Sequence, residues 1–298
     1  MDSHNQGSFS AFHPAVLFVY FLFVLFFSMA AVQPVMLVLS FAGAFCLNAL
    51  ISPVHETVSD FLYALLLFAV MTLLNPVFSH NGETILFFLN EQPYTLEALL
   101  YGMAVSAMIL TVIAWCRAVG RIMTTDKFLY LFGKSAPKLG LLLSMVFRFL
   151  PLYRRKAAEI RCTQKALGLF SSESLSDRLK GSFRVFSSLI TWALEGSVDT
   201  ADTMLSRGGG LPGRKSFSIY RFRKADSIFL TVCLIPAVFL LYSFFSGFLK
   251  YSFYPGADAV GAAPLDFIIY TAYAVLVFMP AFIEIKENLK WKYLRSGI

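Results

Sequence analysis

Long apolar runs broken by short polar stretches dominate the chain. Residues 14–54 carry no formal charge over 41 positions. That is room for two membrane-crossing helices of about 20 residues each, and Gln33-Pro34 is the natural break between them. Further uncharged runs follow at residues 61–82, 98–116, 227–249 and 267–283. The pattern predicts an all-α polytopic membrane protein with about six transmembrane helices. Residues 1–16 contain no Lys or Arg, so they lack the basic start of a cleaved signal peptide, and the first apolar run is expected to stay as an anchor.

Between the fourth and fifth runs the pattern changes. Residues 139–153, LGLLLSMVFRFLPLY, are nearly apolar but too short to span, and Arg148 and Pro151 interrupt them. They suit a helix that lies at an interface or packs on the spans, with Pro151 bending it. A basic cluster follows: Arg154, Arg155, Lys156, Arg161 and Lys165. Residues 173–207 then read as one long amphipathic helix. Leu175, Leu179, Phe183, Phe186, Ile190, Ala193, Ala201 and Met204/Leu205 recur mostly three or four apart. Glu195, Asp199 and Asp202 align on another face, which is most simply a solvated one. The helix should end at Ser206-Arg207-Gly208: glycine accepts a left-handed cap, and Pro212 prevents a restart. Arg207 then projects beyond the last turn, where a cation offsets the helix dipole by about 0.3–1 kcal/mol. Lys165-Ala166-Leu167-Gly168 closes the upstream basic helix in the same small-X-Gly manner.

Charge orients these elements. Residues 1–116 hold no Lys or Arg and six acids. Residues 117–224 hold 20 of the 25 basic residues against seven acids, and residues 225–298 hold five of each. A basic block between spans marks the cytoplasmic side. This divides the chain into four spans (1–116), cytoplasmic coupling helices (117–224), and two spans with a basic cytoplasmic tail (225–298). The tail carries Lys286, Lys290, Lys292 and Arg295 on the same side, which places both termini in the cytoplasm of a cell-membrane protein. Residues 52–60 should also be cytoplasmic, yet they contain no Lys or Arg. The composition agrees with the pattern: 57% of residues are hydrophobic and only 14% charged. Soluble domains run near 45–50% and about 25%, so an ordinary soluble enzyme is excluded. Basic residues near a bilayer also attract anionic lipid headgroups, at about 1 kcal/mol each.

Candidate chemistry is sparse. Cys46, Cys116, Cys162 and Cys233 form no CxxC pair, and His4, His13, His55 and His80 show no ligand spacing, so neither a disulfide framework nor a metal site is expected. The run GGGLPGRKS fails as a phosphate loop: that motif needs Lys directly after the last Gly, and here Arg214 intervenes before Lys215. No nucleophile elbow is present. The first four spans carry no internal charge for a proton or ion pathway. No catalytic residue and no cofactor is expected.

Three ordered segments carry a resemblance. LNPVFSHNGETILFFLNEQPYTLEALLYG (74–102), DKFLYLFGKSAPKLGLLLSMVFRFLPLY (126–153) and ADTMLSRGGGLPGRKSF (201–217) resemble the transmembrane T component of energy-coupling factor (ECF) transporters, the EcfT/CbiQ family. The resemblance implies a non-catalytic membrane subunit of an ABC importer for a vitamin or transition metal. Its implied partners are two cytosolic ABC ATPases, which hydrolyse ATP, and a membrane S component that binds substrate; nucleic acid is not among them. It further implies that Ser206, Arg207 and Gly208 form an ATPase-coupling motif, with Arg207 docking into an ATPase groove. The other motif of the pair falls on Lys165, Ala166, Leu167 and Gly168, where Leu167 stands in place of the family's Arg. Arg148 and Pro151 fall at the bend of a coupling helix. Two other readings of the residues are a polytopic membrane enzyme using Arg148, Glu159 or the Glu195/Asp199/Asp202 row, and a membrane scaffold that recruits a partner without transport.

Overall fold

The computed structural model describes residues 8–79, 82–89, 92–168, 175–209, 220–254, 256, 261 and 263–296. It divides into two compact units, one of residues 1–127 with 220–298 and one of residues 128–219.

The first unit is a helix bundle. A short 3-10 turn, Ser8–Ala11, precedes α1 (Pro14–Ala30), α2 (Pro34–Ile51), α3 (Val54–Phe78) and α4 (Leu96–Ile122). Proline opens α1 and α2, at the one helical position where its missing N–H is no loss. The second unit supplies most of α5 (Thr125–Ser135) and all of α6 (Pro137–Ala166) and α7 (Leu175–Ser206). The chain returns to the bundle as α8 (Lys224–Phe245) and α9 (Pro264–Ser296). Helices α2, α3, α4, α8 and α9 are long and apolar enough to cross a membrane; α1, expected as the first span, is an apolar helix of 17 residues. The all-α polytopic membrane architecture is as expected.

The helices outrun the uncharged stretches. Helix α3 starts seven residues before the expected edge of its span, α4 runs six residues beyond Cys116, and α9 continues into the basic tail. Charge ends a transmembrane span but not a helix, whose backbone bonds are internal. One element escaped the pattern: a two-stranded antiparallel hairpin, β1 (Ile85–Leu89) and β2 (Gln92–Thr95), joins α3 to α4. Its base is tied down by Glu97, whose carboxylate accepts from the Thr84 hydroxyl at 2.6 Å and from the Thr84 N–H at 3.3 Å.

In the bundle α2 packs on α4 and α9, α3 on α4, and α8 on α9. Gly43 of α2 lies against Val277 of α9 so closely that a Cβ would collide with the valine methyl. Small residues allow such approaches between membrane helices. Buried polar side chains cross-link the rest: the Ser28 and Ser40 hydroxyls meet at 2.8 Å, Trp115 donates to Ser40 at 3.1 Å, and Asn48 donates to the Ala114 carbonyl at 2.9 Å. Each contact is worth about 0.6 kcal/mol on average in a membrane protein.

The acidic segment 52–60 finds its basic residues on a neighbour. Glu56 and Asp60 lie one turn apart on α3, Arg117 and Arg121 one turn apart on α4. The antiparallel helices pair Glu56 with Arg121 at 2.7 Å and Asp60 with Arg117. Acids near a helix start and bases near a helix end also suit the two dipoles. The α3–α4 seam continues through Thr72, which donates to the Ser106 hydroxyl at 3.2 Å, and Gly102, packed on Asn75.

Candidate functional site

The candidate residues gather in the second unit. Helix α6 runs through Pro151 without interruption, although proline removes one backbone bond there. Arg148 and Pro151 are both exposed. Helices α6 and α7 pack together. Tyr153 meets Trp192 edge-on with ring centroids 5.9 Å apart, and the Lys156 ammonium sits 5.7 Å from the Trp192 ring centroid. Such a cation–π contact contributes about 0.5–1 kcal/mol at an exposed site. Lys156 also pairs with Glu159 at 2.8 Å. The Glu195/Asp199/Asp202 row is exposed.

The buried stripe of α7 differs from its obvious apolar one. Gly181 and Val185 are the buried positions, and Leu189 and Trp192 continue that line half-buried. Leu175, Leu179, Phe183, Phe186 and Ile190 all remain exposed, Phe183 at 71%. A helix with two apolar stripes has two surfaces to cover, and its own unit covers one.

Both helices end in the same geometry. Helix α7 stops at Ser206; Arg207 is its C-cap, and Gly208 turns left-handed at φ +78°. The Gly208 N–H donates to the Leu205 carbonyl at 3.0 Å and the Gly209 N–H to the Met204 carbonyl at 2.7 Å. This pair of bonds is the Schellman motif, which satisfies otherwise orphaned carbonyls. A Cβ on Gly209 would stand 2.6 Å from the Met204 oxygen, so the second glycine is required as well. Helix α6 stops at Ala166; Leu167 is its C-cap, and Gly168 turns left-handed at φ +76°, its N–H donating to the Lys165 carbonyl at 3.0 Å. Leu167 and Arg207 therefore occupy equivalent positions, and both side chains are exposed, Leu167 at 72%. Pro212 and the GGGLPGRKS segment beyond Gly209 lie outside the described residues, as do His4 and His80.

The sequence reading missed a second group of charges, in the bundle. Lys127, 4% exposed, donates to the Ser10 carbonyl at 2.6 Å, the Ser10 hydroxyl at 2.9 Å and the Ile122 carbonyl at 2.8 Å. Burial lowers its ammonium from the ordinary 10.5 to about 8. Glu284 accepts from the Phe9 N–H at 3.0 Å, and Asp226 from the His13 N–H at 2.9 Å. No local pattern distinguishes Lys127 from the other lysines of the basic block. The ladder of Glu56 and Asp60 with Arg117 and Arg121 went unread too, although two matched i, i+4 pairs signal it. Among the described residues no cluster of His, Cys, Asp or Glu could hold a metal ion, and all four cysteines are free thiols.

No family model matches the chain. Over 95 residues, 31% of its length, it is 36% identical to the energy-coupling factor transporter transmembrane protein EcfT of Listeria innocua, and it spans about a third (36%) of that relative's length. The expected resemblance to the EcfT/CbiQ family of membrane components is thus borne out by a known protein over part of the chain.

Proposed function

We propose that the chain is the transmembrane coupling subunit of an ECF-type ABC importer. It would pass ATP-driven motion of two cytosolic ATPases to a substrate-binding S component that takes up a vitamin or transition metal. The observation that carries this reading is the repeated cap: two packed helices, each closed by a left-handed glycine, presenting Leu167 and Arg207 at equivalent exposed positions. Arg207 offers a planar fork of donors to carboxylates or helix-end carbonyls of one ATPase. Leu167 offers the other an apolar contact, with Lys165 two residues before it as the nearest charge in sequence.

The same reading places residues 117–224 in the cytoplasm with both termini. It also gives the uncovered Phe183/Phe186/Ile190 stripe a protein partner, since water-exposed apolar patches of this kind mark interaction surfaces. The Arg154/Arg155/Arg161 cluster then faces anionic headgroups. The protein itself hydrolyses nothing. Affinity purification from membranes tests the reading: two ATPases and a small membrane protein should accompany the wild-type chain, and Arg207→Glu should lose one ATPase contact and the coupled uptake. Purification of the chain without any ATPase would overturn it.

A further inference from the structure

The residues around the 3-10 turn connect four elements of the bundle within six positions. Phe9 is fully buried among Phe12, Tyr20, Phe21 and Phe229, with ring centroids 5.5–6.2 Å away. Its N–H is held by Glu284 of α9. Ser10 takes two of the three Lys127 hydrogens, and the third goes to Ile122, the last residue of α4. The His13 N–H is held by Asp226, whose other oxygen accepts from Arg223 at 2.7 Å and so caps α8. One short segment thus ties together the start of α1, the end of α4, the start of α8 and the late turns of α9. Lys127 is also the residue at which the chain leaves the bundle for the second unit.

The chemistry of that tie is unusual. The other charges nearby each have partners: Arg121 pairs with Glu56, Asp226 caps α8, and Glu284 holds Phe9. Asp126, next in sequence, acts on Tyr220, whose hydroxyl is raised by burial first and by that carboxylate second. Lys127 has its three neutral acceptors and, among the described residues, no ion pair. A buried charge of this kind is costly to hold, and it regains hydration when released. A strong ion pair in the same place would be a permanent weld. Neutral acceptors around a dry ammonium make a contact that closes fully yet opens at modest cost.

We propose that residues 8–13 form a releasable latch on the bundle, and that Lys127 is its positioning residue, holding the exit of the chain toward the second unit through Ser10. Its use in coupling rests on the proposed function; its existence does not. The chain passes from the bundle to the coupling helices directly after Lys127, and opening of the latch would free the end of α4 and the start of α8 together.

Amine acylation read by mass spectrometry tests both parts. In the full-length chain in detergent, Lys127 should react at least about tenfold more slowly than exposed Lys250, because reaction needs local opening. Ser10→Ala, which removes one acceptor and little packing, should speed Lys127 several-fold and leave Lys250 unchanged. Equal rates for the two lysines in the wild type, or a Lys127 rate unmoved by Ser10→Ala, would overturn the latch. In the assembled complex, a non-hydrolysable ATP analogue should change the Lys127 rate several-fold relative to the nucleotide-free complex. An unchanged rate in a complex that does contain ATPases would overturn its role in coupling. Absence of ATPases would overturn the proposed function instead, with the detergent measurement still deciding the latch.

Discussion

In the bundle, Trp115, Tyr20 and Tyr273 are closed off, and the Ser28, Ser40 and Trp115 contacts join three helices. In the second unit, Phe183, Phe186 and Ile190 stand exposed along a 32-residue helix, and the two caps end in side chains that touch little. Both units are rich in apolar surface, but the surface has different uses. The outer faces of the spans suit lipid, which needs no particular side-chain arrangement. The second unit carries most of the chain's basic residues and exposes ordered features: a stripe, a fork and an apolar tip. On the proposed function its sequence is constrained by partners, whereas that of the bundle is constrained by its own packing. Substitutions in the first unit should act on folding, and those in the second on assembly and coupling at nearly constant stability.

Arg207→Glu should give the largest effect. If Arg207 docks as proposed, reversing its charge removes charge-assisted bonds and sets like charges together, a loss of about 2–5 kcal/mol where the pair is buried in the complex. Coupled uptake should fall by at least about thirtyfold, each 1.4 kcal/mol being about tenfold, while the thermal midpoint of the isolated chain moves little. A comparable fall in that midpoint would erase the contrast between the units. Gly43→Val tests the other side. Its side chain has no room against Val277, and overpacking costs about 1–3 kcal/mol. The variant should unfold at a visibly lower temperature in detergent and, once assembled, couple normally per molecule.

How far the sequence foretells the molecule follows the same division. The spans and the long α7 were legible because each depends on a local pattern, uncharged length or a 3.6-residue period. Both glycine caps were legible too, since only glycine takes φ near +77° cheaply. Which stripe of α7 is buried was not, because Gly181 and Val185 form a weak apolar signal beside Phe183 and Phe186; a glycine buries a helix face by having no side chain. The hairpin at residues 85–95 was hidden between two spans whose hydrophobicity it shares. The Lys127 contacts join residues 117 positions apart, and no spacing rule reaches that far.

The two caps sharpen the contrast inside the second unit. Gly168→Ala and Gly208→Ala impose the same strain, about 1–2 kcal/mol for an L-residue held left-handed, so circular dichroism melts should shift alike. Coupling should respond more to the change beside Arg207, because the direction of a charged fork matters more than that of an apolar tip. Leu167→Asp should weaken ATPase association by setting a charge in an apolar contact; undiminished co-purification would show that the α6 cap is not used.

The smallest effect concerns the residue where the two units meet in the chain. Lys127 is at about 8 in the folded protein, against 10.5 for an ordinary lysine. Between those values the unfolded chain binds a proton that the folded one has lost, so folded stability must rise with pH across that window. Below about pH 8 the full burial penalty is present. Lys127→Met has no such proton to lose. The thermal midpoint of the wild type, measured relative to Lys127→Met, should therefore increase between pH 7 and pH 9.5, since every other titrating group is common to both proteins. A constant difference would mean that the ammonium is hydrated in the folded state, and the hand-over point would then belong with the open surface of the second unit rather than with the closed interior of the first.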